Sequence, residues 1–463
     1  MSYSFLSETG VLALSIILIT LSTIRWFGLL IHHRGRMAYR FTPRRGFFYN
    51  IFQTDVAVIL PVVNHRSENF IPTIRSILEN TPGQLYVMVV GKEAYDEVMP
   101  QMEILRQEYR FSQIHVGAVH EANKRRQIAH ALSTLDHGIS RLTVFTEQGT
   151  YWPTKFLISA IRPFDDLELA AITVPRMAHV PALGGIWANI KAHLFSFHYS
   201  VQAEDNRAVN SLDGSALFGG PTTLVLTQHL KEDRFKNEFE KEKWFFERPG
   251  PLSGGEHFYL NRYLLEGNKK TLFLDSPKVT VSVEMNSVGE FIGEFLRTIR
   301  NNWRTCFSMA PHCAWLRIRW GHVIFPAAAR MTWWPTIFFP VTLLIDIFSI
   351  ILAFNYSNLN TTALTVWIVI TTLVIGTQAI SNLLVARRMH GNKSNVFVTL
   401  LCVLVSLPFQ HTLEVLKVMA MLTYWKTDVE CTQQDVNVPR GRSMPWNWGY
   451  WDDMGLVRTE IRL

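Results

Sequence analysis

A carboxylate follows directly on an apolar run in the segment Thr143–Pro153, TVFTEQGTYWP. Leu142–Phe145 is short, apolar and β-branched, the pattern of a buried strand. Glu147 stands where that strand gives way to a polar loop. In open α/β sheets, ligands bind beyond the carboxyl ends of strands. A carboxylate there suits a hard divalent cation carried on a diphosphate. It equally fits an ordinary strand-to-loop turn with a solvated Glu. Two other places hold groups able to do chemistry. Lys124 and Arg125 open a basic helix, and Glu256 and His257 stand in the first turn of another.

These groups need a frame to hold them. Val56–Val63, Leu85–Val90, Ile114–Val119, Leu142–Phe145 and Leu169–Val174 read as buried strands, the continuous apolar kind found in parallel sheets. Between them Phe70–Glu79, Ala94–Tyr109 and Asn123–Leu135 read as helices. Strand and helix alternating on short links imply a doubly wound sheet. Ile186–Gln202 predicts an aromatic-rich helix, Leu212–Thr227 a glycine-rich turn running into a strand, and Glu238–Gly255 a loop. Glu256–Leu265 predicts a helix, Thr271–Leu274 and Val279–Val283 strands, and Glu290–Phe307 an amphipathic basic helix. That last helix fits a membrane interface, or equally a surface helix packed on the domain.

The ends of the chain are different. Leu12–Ile31 is an apolar run interrupted by Arg25 and predicts a membrane span. A cleavable signal peptide is the competing reading, but no charged segment precedes the apolar core and no small-residue cleavage site follows. Thr336–Phe354 and Ala363–Val385 predict two further spans, and Val396–Tyr424 a third apolar segment that spans with a kink at Pro408 or enters and returns. The net charge of +7 raises nucleic acid as a partner. Much of the basic charge, however, lies beside the apolar runs, at Arg34, Arg36, Arg40, Arg44, Arg45, Arg387 and Arg388. That placement suits an anionic membrane surface and a cytosolic central domain, and ranks nucleic acid far below. Cys306, Cys313, Cys402 and Cys431 have neither metal-ligand spacing nor a disulfide pattern.

Together these features resemble the membrane-bound family-2 glycosyltransferases, relatives of hyaluronan and cellulose synthases, and most closely the fungal capsular-polysaccharide-synthase-like proteins. The resemblance covers nearly the whole chain. DVAVILPVVN at Asp55–Asn64 is similar to the first nucleotide-binding strand. ANKRRQIAHAL at Ala122–Leu132 is similar to the family's basic helix. GGEHFYLNRYLLEGNKKTLF at Gly254–Phe273 tracks the acceptor-side helix. The departures are as specific as the matches. Gln148 and Gly149 stand where the metal motif carries acids, and Pro221 and Leu226 replace arginines. Glu256-His257 stands for an acidic pair. EFLRT at Glu294–Thr298 replaces QxxRW, with Arg300, Trp303 and Arg304 following.

The resemblance implies an α/β fold: a GT-A-type doubly wound domain inserted between an N-terminal transmembrane helix and a C-terminal α-helical membrane region. It divides the chain at 1–50, 51–285, 286–332, 333–426 and 427–463. It implies a nucleotide-sugar donor held by Asn64, Lys124, Arg125, Arg297 and Arg300. It also implies Mg²⁺ or Mn²⁺ at Glu147, and His257 with Glu256 as the base that deprotonates an acceptor hydroxyl. A histidine suits that work near neutral pH. The acceptor is a glycan, a lipid or a hydrophobic small molecule, and membrane lipids are partners. Altered motifs also leave a catalytically impaired scaffold, partnering an active synthase, as the rival expectation.

Overall fold

The computed structural model describes residues 8–39, 51–120, 122–135, 140–179, 186–213, 216, 219–242, 255–267, 269–284, 287–315, 396–426 and 451–452, with isolated positions between 347 and 380. In chain order, α1 is Glu8–Ala38, β1 Val56–Pro61, α2 Phe70–Leu78, β2 Gln84–Val90, α3 Lys92–Glu108, β3 Gln113–Val119 and α4 Lys124–Thr134. There follow β4 Leu142–Phe145, β5 Thr150–Tyr151, α5 Phe156–Ala160, β6 Leu169–Thr173, β7 Arg176–Ala178 and α6 Ile186–Asp213. After them come β8 Thr223–Leu226, α7 Thr227–Leu230, α8 Asp233–Phe239, α9 Glu256–Glu266, β9 Lys270–Phe273 and β10 Val281–Val283. The last elements are α10 Val288–Trp315, α11 Val396–Met421 and β11 Trp451–Asp452.

The chain forms two compact units. One is the α/β unit, Phe41–Ala188 with Gly214–Glu290 and Tyr424–Leu463. Its main sheet has the order β11-β3-β2-β1-β4-β8-β6-β9. β3, β2, β1 and β4 run parallel, in register Val58 to Leu85 and Val58 to Val144. Every residue of β1, β2 and β4 is buried, so both faces are covered, as continuous apolar runs require. α2 buries Phe70, Ile74, Ile77 and Leu78, one stripe at helical spacing. Beyond β4 the simple alternation ends. β8 enters antiparallel to both β4 and β6, because the long helix α6 intervenes before the chain returns to the sheet. A small second sheet, β5-β10-β7, was not legible as strands except at β10. It flanks the loop that carries Glu147.

The other unit is helical: Met1–Arg40, Asn189–Asp213 and Phe291–Thr423. Phe195 of α6 stacks on Phe291 of α10 with centroids 4.1 Å apart, and Phe291 meets Phe409 of α11 at 6.0 Å. Ser211 Oγ donates to Gly35 O of α1 at 2.6 Å. α6 runs on past the expected end at Gln202, to Asp213, and takes in the start of the segment expected to be a glycine-rich turn. α11 continues through Pro408. The spans expected at Thr336–Phe354 and Ala363–Val385 lie almost wholly outside the described residues. Among the described residues, no helix is long and apolar enough to cross a membrane.

Candidate active site

The site forms where β4 ends. Thr146 N–H donates to Ile59 O, so the strand keeps its partner up to the residue before Glu147. The loop then turns sharply. Thr150 N–H donates to Glu147 O at 3.2 Å, and Gly149 has φ +77°. Its N–H donates to Thr73 Oγ1 at 3.1 Å and its carbonyl accepts from Glu284 N at 2.8 Å. A Cβ here would lie 3.3 Å from Asn69 Nδ2 and 3.6 Å from Glu284 Cβ. Gly149 occupies a left-handed backbone turn, which costs other residues ~1–2 kcal/mol, and this accounts for a glycine where the motif it resembles carries an acid. Gly149→Asp is expected to lose about that much stability without gaining activity, as read by thermal denaturation and turnover. Gln148 Nε2 bridges to Asn64 O at 2.6 Å and Asn69 Oδ1 at 3.0 Å, tying this loop to the one after β1.

α4 is set over the strand ends by its polar side chains. Asn123 caps it, its Oδ1 accepting from the N–H groups of Arg125 and Arg126 at 3.0 and 3.2 Å. Gln127 Nε2 donates to Met88 O at 2.7 Å and Val62 O at 3.0 Å, just where β2 and β1 finish. Consecutive helical residues diverge by about 100°, so Lys124 and Arg125 cannot share a task. Lys124 Nζ lies 2.5 Å from Glu147 Oε1 and ion-pairs Glu256 Oε1 as well. Arg125, expected beside a diphosphate, is only 2% exposed and has other partners. It holds Glu242 Oε2 at 2.6 Å, Phe239 O at 3.1 Å and Gly255 O at 3.3 Å, with its guanidinium over the rings of Phe239 and Tyr259.

α9 begins after Gly255, whose φ is +75°, and its first turn presents Glu256 and His257. An N-terminal turn favours a carboxylate. His257 Nε2 is 3.3 Å from Glu256 Oε1 and 3.4 Å from Glu147 Oε1, and its Nδ1 is 3.3 Å from Thr223 Oγ1 on β8. Glu256 and His257 are buried, whereas Glu147 is 39% exposed and forms the open side of the cluster. Burial opposes charge on Lys124, Glu147 and Glu256. The carboxylates of Glu147 and Glu256 nevertheless outweigh it and hold the Lys124 ammonium well above its ordinary range. Lys124 and His257 in turn hold both carboxyls below theirs.

Ligand atoms of Glu147, Glu256 and His257 lie within 4.8 Å of one another. Two carboxylate oxygens and an imidazole nitrogen fit a divalent ion, and the nitrogen favours Mn²⁺ over Mg²⁺. The structure thus brings together Lys124, Glu147, Glu256 and His257. Asn64 is exposed at the neighbouring loop, where its Oδ1 accepts from Arg66 N–H at 3.2 Å. Arg297 and Arg300 lie on α10 in the helical unit, where Arg300 Nε donates to Thr423 Oγ1 at 3.1 Å. Thr223, Gln148 and Glu242 were missed. Thr223 lies in the expected turn-and-strand segment Leu212–Thr227, but nothing in the spacing marks its hydroxyl, and Glu242 has no local signal at all.

No protein-family model matches the chain. Three fungal proteins curated as type 2 glycosyltransferases are similar to it. That of Zymoseptoria tritici is 24% identical over 252 residues, 54% of this chain and 50% of the relative. That of Pyricularia oryzae is 22% identical over 253 residues, 54% and 50%. That of Gibberella zeae is 23% identical over 284 residues, 61% and 51%. The chain spans about half the length of these curated relatives. Among solved structures, the mannosyltransferase PcManGT from Pyrobaculum calidifontis, in complex with GDP-Man and Mn²⁺, superposes with a TM-score of 0.50 at 13% identity, over 89% of this chain and 99% of that one. The chain thus has a GT-A-like α/β fold, shared with that transferase, and its curated sequence relatives are type 2 glycosyltransferases.

Proposed function

We propose that this chain is a glycosyltransferase that moves a sugar from a UDP- or GDP-sugar to a glycan, lipid or hydrophobic small-molecule acceptor at a membrane, with its α/β unit on the cytosolic side. The observation that carries the reading is the convergence of Lys124, Glu147, Glu256 and His257, from three separate elements, at the carboxyl end of β4. Glycosyl transfer needs the leaving diphosphate neutralised, the acceptor hydroxyl deprotonated and the two held in line. Lys124 supplies a fixed positive charge for the diphosphate. Glu147 and Glu256 would hold the divalent ion, which neutralises phosphate charge when bound. His257, anchored at Nδ1 by Thr223, accepts the acceptor proton, with Glu256 orienting the ring.

A second role for His257 is favoured by one observation: its Nε2 lies close enough to both carboxylates to be a third metal ligand. His257→Gln separates the two. As base, its loss lowers kcat by ~10²–10⁴-fold at unchanged Mn²⁺ affinity. As ligand, its loss weakens Mn²⁺ binding in step with turnover.

Membrane attachment is supported by α1, where Leu12, Ile16 and Ile17 are about half exposed along an apolar run. The hydroxyls of Thr20 and Thr23 bond back to Ile16 O and Ile19 O at 2.8 Å, satisfying themselves without water. The whole reading is tested by offering labelled UDP- and GDP-sugars with a membrane extract. Label appearing in an extractable lipid or polymer supports it. Label remaining in donor and free sugar alone counts against transfer.

A further inference from the structure

Two nitrogens converge on the same pair of oxygens. Lys124 Nζ and His257 Nε2 both face Glu147 Oε1 and Glu256 Oε1, with Nζ 2.5 Å from the first. A divalent ion bound by these carboxylates takes up a position about 2.0–2.6 Å from each oxygen. The Lys124 ammonium already fills that position. Glu256 is only 5% exposed, so solvent screens its charge poorly and a counter-ion stabilises it. An ammonium and a divalent ion also repel each other, so they cannot share the two oxygens. We infer that Lys124 is a tethered stand-in for the metal, and that the divalent ion and the nucleotide diphosphate enter by exchange. The diphosphate draws the ammonium onto its own oxygens, and the vacated carboxylates take the metal.

The exchange makes binding of the two ligands mutually dependent. Metal alone must displace Lys124 into solvent, so it binds weakly. Diphosphate gives the ammonium a new partner, so metal then binds more tightly, and by linkage the metal tightens the nucleotide equally. It also accounts for a site with only one carboxylate in its strand-end loop. The second carboxylate, Glu256, is contributed from α9 and is kept charged by Lys124 until the ligands arrive.

The donor in this scheme rests on the glycosyltransferase reading, but the exchange at the carboxylates does not. The test is direct Mn²⁺ binding to the full chain in lipid, followed by the free-Mn²⁺ resonance signal, without nucleotide. Lys124→Met is expected to bind Mn²⁺ about 10-fold more tightly than the native protein, although it loses nucleotide affinity. Lys124→Arg, which keeps the charge, is expected to bind no more tightly than native. Equal or weaker Mn²⁺ binding by a folded Lys124→Met protein overturns the exchange. Amine labelling of the native chain gives a second readout that needs no variant. Lys124 is expected to be protected in the free protein and to label faster at saturating Mn²⁺; unchanged labelling at saturation overturns the proposal. Neither readout uses turnover. Mn²⁺-dependent release of Lys124 with no donor cleaved would leave the exchange standing and remove the glycosyltransferase reading. Donor cleavage with Lys124 unmoved would do the reverse.

Discussion

Glu147→Gln is expected to lower donor turnover by ~10²–10³-fold, the loss typical when one electrostatic stabiliser of a transition state is removed. The substitution is nearly isosteric, and Gln keeps an oxygen for the Lys124 ammonium now 2.5 Å away. What it removes is charge at the open side of the cluster, where Glu147 is 39% exposed. A carboxyl depressed in the folded state contributes stability at neutral pH, so a modest fall in melting temperature is expected beside the larger loss of turnover. The carboxyl is held below its ordinary range, burial notwithstanding, by Lys124 and His257. It is therefore ionised throughout the neutral range, and the deficit should persist undiminished from about pH 6 to 8. A deficit that vanished within that window would mean that the charge at position 147 is not what turnover uses.

Glu242→Ala is expected to destabilise the α/β unit by about 3–5 kcal/mol. Glu242 accepts from Arg125 at 2.6 Å through Oε2 and from Arg262 at 2.6 Å through Oε1. Arg125 is 2% exposed, so removing the carboxylate strands its guanidinium between Phe239 and Tyr259 with carbonyl partners. Because this bridge joins α4, α8 and α9, the loss also loosens the start of α9, which carries Glu256 and His257. Burial pushes the Glu242 carboxyl up, but the two arginines outweigh it and leave it below the ordinary value of 4.5. A carboxyl depressed in the folded state contributes stability above its unfolded value and loses it as pH falls through the folded one. Glu242→Gln should therefore show a flatter loss of stability below about pH 4.5 than the native chain, as measured by thermal melts across the acid range.

The apolar runs made the parallel half of the sheet legible, because β1, β2 and β4 are buried on both faces and no polar pattern competes with burial. The same logic failed for β5 and β7, whose two- and three-residue pairings are set by β10 and not by local propensity. At the site, Glu147, Glu256 and His257 took their roles from the resemblance, and only their positions, each at a strand end or helix start, were legible in the residues themselves. Their convergence was not, since Glu147 and Glu256 lie 109 positions apart in the chain and the insertion of β8 next to β4 sets Thr223 against His257. Arg125 illustrates the converse. A basic pair reads as one patch in sequence, but helical geometry sends Lys124 to the carboxylates and Arg125 to a buried bridge. The left-handed turn at Gly149 was also hidden, because a glycine in place of an acid reads as a lost ligand until its φ is known.

The cluster at the end of β4 is expected to cleave a sugar–diphosphate bond. The most direct measurement is nucleoside diphosphate release by the purified chain in lipid, across UDP- and GDP-sugars with Mn²⁺ or Mg²⁺, beside a Glu147→Gln, His257→Gln double variant. Release is expected with one donor class, dependent on the divalent ion and lower by at least about 10³-fold in the double variant. No release from any donor by a folded protein supplied with membrane extract, or equal release by the double variant, would contradict it and favour a non-catalytic relative acting beside an active synthase.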